Sequence, residues 1–165
     1  MVGRLDVRAF AVAALAALLM VGLGGCDLLA PQETDFITET ADGVNATVGM
    51  VDVGDAVVVS DTGKTGNLVA TFTNRDSTAH RVEIQWGKNP TRSAFVNVPA
   101  TSEKQVGTPG NRIVKIAGLD TAPGALVPMF FQYGSETGVK VLVPVLSGSL
   151  APYQNLTPEK VAQNN

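Results

Sequence analysis

Apolar residues run almost unbroken from Ala9 to Leu23, and no later stretch of the chain is apolar for as long. From about Thr47 the texture changes to short runs rich in Val, Ile, Thr and Phe, separated by Gly, Asp, Asn and Pro. These runs are TVGMVDV, DAVVVS, NLVATFTN, TAHRVEIQW, AFVNV, NRIVKIAG, ALVPMFFQYG and GVKVLVPV. In the fourth, Val82, Ile84 and Trp86 alternate with Arg81, Glu83 and Gln85; in the third, Leu68, Ala70 and Phe72 alternate with Val69, Thr71 and Thr73. A period of two marks strands that bury one face and wet the other. No stretch after the first run sustains a 3.6-residue period with caps. Seven to eight short strands divided by turn signals predict an all-β chain, an antiparallel sandwich of immunoglobulin-like type, over residues 47–147.

Two hairpin turns stand out, SDTGKTGN and YGSETGVK, the second joining the last two strands. Pro128 and Pro144 interrupt those strands. Proline has no ladder donor, so each belongs at an edge or a bulge. Residues 27–46, which mix acids, Thr and one Pro with no period, read as a flexible tether. About 20 coil residues have an end-to-end distance near 25 Å. Phe36 and Ile37 leave open an additional strand docked on the domain. After Val145 the alternation fades, and residues 148–165 read as a tail lying extended on the domain and then disordered.

The first apolar run has the parts of an export signal. Arg4 and Arg8 precede it, Gly24 and Gly25 follow, and at about 15 residues it is shorter than the roughly 20 a stable span needs. It ends at Cys26, the only cysteine. The segment Leu23-Gly24-Gly25-Cys26 resembles the lipobox of bacterial lipoproteins, in which the signal is cut before a cysteine that carries diacylglycerol. Position, spacing and uniqueness favour this over a stray cysteine lost with the signal. That resemblance implies residues 1–25 as a cleaved signal and Cys26 as the lipidation site. It places the chain on the outer face of the bacterial cytoplasmic membrane, held by two or more acyl chains.

Charge removes other partners. Loss of Arg4, Arg8 and Asp6 with the signal would move the net charge from −3 to −4 and leave 140 of 165 residues, enough for one domain with tails. With no basic run, nucleic acid is not an expected partner, and attraction to anionic headgroups has no support.

Catalysis finds little to work with. His80 is the only histidine, the single thiol is assigned to lipid, and there is no G-x-S-x-G elbow. DTGKTG resembles a phosphate-binding loop, yet Val58 stands where the earlier glycine is required. Asp52, Asp55 and Asp61 sit at strand ends and turns, where acids satisfy backbone donors. The chain is therefore read as a non-enzyme. Soft ligands for Cu(I) outside the signal are limited to Met50, His80 and Met129, and they form a site only if the fold gathers them. Two methionines in apolar strands are ordinarily core filler. Trp86, the only tryptophan, closes an alternating series, which predicts its ring over the core. A ligand-contacting role would instead make QWGKNP a binding surface.

The stretches VGMVDVGDAVVVSD, NLVATFTNRDSTAHRVEIQ and GALVPMFFQYGSETGVKVLVPV, with a Tyr-containing tail, resemble actinobacterial lipoproteins related to the periplasmic copper chaperone PCu(A)C. The likeness runs from about Val48 to Tyr153 and includes an A-x-F-T-N strand and a closing hairpin ending in VPV. It implies a cupredoxin-like β-sandwich. It does not carry copper delivery with it, because the His-x-Met pair of those chaperones is missing here. The expectation is a lipid-anchored binding or support module for an unidentified envelope protein, with no cofactor. A copper metallochaperone is the alternative.

Overall fold

A computed structural model describes residues 42–87 and 92–164; Cys26 and the Phe36–Ile37 pair lie outside the described residues. The described chain is built almost wholly from strands. They are β1 (Val44–Val48), β2 (Val51–Val59), β3 (Thr65–Asn74), β4 (His80–Trp86), β5 (Ser93–Val98), β6 (Ser102–Val106), β7 (Val114–Ala117), β8 (Leu126–Gln132) and β9 (Val139–Leu146). Hydrogen bonding orders them β5-β4-β8-β9-β2-β3-β6, with β1 added on β2 and β7 on β3. All pairings are antiparallel except β2 with β9, which meet in parallel at Val58↔Val145 and Val59↔Leu146.

The expected sandwich is therefore present, with nine strands rather than seven or eight and one parallel joint. The alternating sets supply its core: Val82, Ile84 and Trp86 of β4, Leu68, Ala70 and Phe72 of β3, and Val127, Met129 and Phe131 of β8 are all buried in a single cluster. Phe72 and Phe131 meet edge to face across it, with ring centroids 6.2 Å apart.

Three strands differ from the sequence reading. TVGMVDV turns back on itself at Gly49, whose φ of 53° suits a glycine, so Val44–Val48 and Val51 onward are separate strands. This places β1 two to three residues earlier than the tether was expected to end. VDV and DAVVV then join into one strand that bends where the register shifts between Gly54 and Val57. Asp55 sits in the left-handed region at that bend, and its N–H donates to Asn45 Oδ1 at 2.9 Å. β6, with the sequence SEKQV, buries only Val106 and ends the sheet beside β3.

The two prolines lie inside the sheet order, not on edge strands. Pro128 stands just past the Trp86↔Met129 pair that ends the β4 ladder, and its carbonyl accepts from Gly87 N–H. Pro144 stands just before the β2 pairing begins at Val145. Pro144 thus falls where the ladder to β2 has not yet begun, and Pro128 takes the last bonded position beside the β4 end, where its carbonyl still accepts.

The tail expected to be extended instead folds into a 3₁₀ turn, Ala151–Tyr153, and a short helix α1, Pro158–Gln163. Val161 of α1 is fully buried, and Asn67 of β3 donates from Nδ2 to Leu156 O at 2.9 Å. Val57 and Val59, which alternate with core-facing Val58, are also buried although outside the main cluster. The continuous apolar run Val57-Val58-Val59 follows from this: one face meets the core and the other is covered. Asn74, at the end of β3, is a second interior amide. Its Nδ2 donates to Thr78 O at 2.8 Å and Pro99 O at 2.9 Å, and its Oδ1 accepts from Asp76 N–H at 2.9 Å. It joins the β3–β4 turn to the β5–β6 turn.

Candidate functional site

The two ends of β4 carry the chemistry, and they are separate. At its start, His80 Nε2 lies 2.8 Å from Asp76 Oδ2. A carboxylate only accepts, so Nε2 holds the proton. The imidazole stacks on the Tyr133 ring at 4.2 Å between centroids, and the Tyr133 hydroxyl accepts from Met50 N–H at 2.9 Å. Asp76 also accepts from Thr78 Oγ1 at 3.0 Å. Hydrogen bonds from His80 and then Thr78 hold the Asp76 carboxyl below its usual range.

Met129 is at the other end. It pairs with Trp86, six residues along β4 from His80, or about 20 Å by strand rise. It is 1% exposed within the core, whereas Met50 is 42% exposed. The fold thus brings Met50 and His80 to one tyrosine but does not bring Met129 to them. Among the described residues, no group of three or more His, Cys, Asp or Glu side chains could hold a metal ion. The three-ligand copper set is not assembled.

At the far end of β4, Trp86 is 5% exposed, belongs to the core cluster, and donates from Nε1 to Ala117 O of β7 at 3.0 Å. That bond crosses from the β4–β5–β8–β9 side to the β3–β7 side. Open clefts flank the indole. One, of about 330 Å³, is lined by Trp86, Pro128, Met129 and Phe130, with Gln85 and Lys140 as its polar groups. The other, of about 450 Å³, has Arg92 and Lys115 beside Trp86 and Ala117. Arg92 is engaged with Gly118 O and lies 3.6 Å from Asp120. Residues 88–90 of QWGKNP lie outside the described residues.

The carboxylates read as turn acids have local partners. Asp52 accepts from Arg75 Nε at 2.7 Å and from Thr47 Oγ1 at 2.8 Å. Asp61 accepts from Gly148 N–H at 2.9 Å and ties the SDTGKTGN turn to the tail. Phe130, Lys140 and Tyr133 were not singled out in the sequence. Outward Phe130 does follow from the β8 alternation, but the Tyr133–His80 stack joins residues 53 positions apart and leaves no local signal.

No family model matches the chain, and no curated protein matches it. Among solved structures, the copper-bound PCuAC domain from PmoF2 is similar at 14% identity, over 63% of this chain and 98% of that one, with a TM-score of 0.49. A likeness of that size carries no residue role across.

The buried indole generates a prediction. Trp86→Ala removes a large core side chain and leaves Ala117 O without its donor, at an expected cost of about 3–5 kcal/mol. Denaturant unfolding of the two proteins measures it. A variant as stable as the parent would mean the ring serves a ligand rather than the core.

Proposed function

We propose that this chain is a lipid-anchored, non-enzymatic envelope protein whose β domain acts as a binding or support module. Its partners are the membrane, through Cys26, and an unidentified envelope protein. The observation that carries the binding reading is the cleft on the β7 side of Trp86, where Arg92 and Lys115 stand beside the indole and Ala117. Aromatic side chains and arginine are the residues enriched at recognition surfaces. The groups that acid–base work would need are engaged elsewhere: the His80 Nε2 proton is held by Asp76, and the turn carboxylates serve backbone and arginine donors. The anchoring reading stands on Leu23-Gly24-Gly25-Cys26 and the short apolar run before it.

The copper reading is weakened by the distance of Met129 from His80 and by its burial. Titration of the protein with Cu(I) is expected to show no stoichiometric site. A one-to-one site abolished by His80→Ala or Met50→Ala would restore the metallochaperone reading.

Cys26→Ser tests the anchor. A hydroxyl cannot take the thioether-linked lipid, so membrane affinity from the acyl chains is lost. The variant is expected to leave the detergent phase and the membrane fraction. Unchanged partitioning would overturn the assignment.

A further inference from the structure

The outward faces of β8 and β9 form an apolar strip in which Leu126 and Leu142 are exposed and Pro128, Phe130 and Pro144 are half-buried. Leu126 and Leu142 are 54% and 53% exposed, the largest exposures among the bulky apolar side chains. The register sets Leu126 opposite Pro144, Pro128 opposite Leu142 and Phe130 opposite Lys140, so these six share one face. Both strands lie inside the sheet order and are paired on each side for at least part of their length. An occupant therefore meets side chains and does not add a strand.

Two observations bear on what the occupant is. The first is where the chain enters. Asp42, the first described residue, accepts at Oδ2 from Tyr153 O–H at 2.8 Å, and burial together with Asp42 pushes that phenol up to about 12. Tyr153 follows β9 by seven residues, with exposed Leu150 between them. Entry is thus beside the segment that follows β9, and β1, into which the chain then runs, packs against β9. The second is length. Asp42 is sixteen positions beyond Cys26, and no conformation of so short a chain exceeds about 55 Å. A domain of this size is about 35 Å across. The tether is therefore long enough for the strip to lie on a bilayer that holds Cys26.

We propose that the Leu126/Leu142 face of β8–β9 rests on the bilayer to which Cys26 is anchored, with the leucines and Phe130 at the depth of the headgroup–acyl boundary. This rests on the anchor reading and adds to it an orientation for the domain. Of the six residues only Lys140 is charged, so contact is apolar and needs no anionic lipid.

The test uses the full lipidated chain in phosphatidylcholine vesicles, with a fluorophore attached through Leu142→Cys or, as a control, through Glu103→Cys on exposed β6. Both substitutions are at exposed positions, so neither disturbs the core. Flotation with the vesicles reports the anchor, and quenching by brominated lipid reports the face. The expected result is flotation of both, with quenching at position 142 at least fivefold that at position 103 and unchanged by high salt. Flotation with equal quenching at the two positions would overturn the proposed orientation while leaving the anchor intact. Shielding of position 142 from aqueous iodide without lipid quenching would assign the face to a second copy, and would also overturn it. Failure of either chain to float would overturn the anchor reading and this orientation together.

Discussion

Two residue pairs of parallel ladder, Val58↔Val145 and Val59↔Leu146, hold the two halves of this fold in one sheet. Everything on one side of the joint is antiparallel, β5-β4-β8-β9, and everything on the other is too. Val58 and Val145 are fully buried at the point of contact, and Ser60 N–H donates to Leu146 O at 2.9 Å immediately beyond it. So short a ladder contributes little by itself. It stands because side chains on both faces exclude water from it: the core on one side, and on the other the buried Val57 and Val59 with the tail fixed through Asn67. The Trp86–Ala117 hydrogen bond closes the opposite side of the sandwich in the same spirit, an indole bridging strands that do not share a ladder.

The position of the joint determines what faces outward. β9 must turn Val141, Val143 and Val145 toward the core to meet β2, and period two then sends Lys140, Leu142 and Pro144 out. β8 follows in register with Leu126, Pro128 and Phe130. The exposed apolar strip and the cleft beside Trp86 are consequences of that register. The prolines fit the same geometry, since Pro128 stands at the last bonded position of one neighbouring ladder and Pro144 just before the first of another.

Much of the fold was legible because burial on one face writes itself locally. Val82-Ile84-Trp86 and Leu68-Ala70-Phe72 needed only the strand period to be placed in the core. β6 was not legible, because a strand at the end of the sheet with one buried residue, Val106, carries no alternation. The closing helix was too short for a helical period, although Thr157 followed by Pro158 and Glu159 is a helix-start pattern. The candidate site was less legible still. Sequence could name Met50, His80 and Met129 but not their separation, which depends on strand pairing across the whole domain. The A-x-F-T-N stretch gained a physical reason only from the fold: Asn74 is the amide that joins two turns.

If the parallel joint closes the sandwich, it cannot open independently of the core. Native-state hydrogen exchange at the Ser60 amide measures this directly, because that N–H bonds across the joint to Leu146. The expected result is an opening free energy within about 1 kcal/mol of the slowest β4 amides, the value for global unfolding. Exchange through a local opening several kcal/mol below that limit would show two sheets that part separately, and would contradict the account.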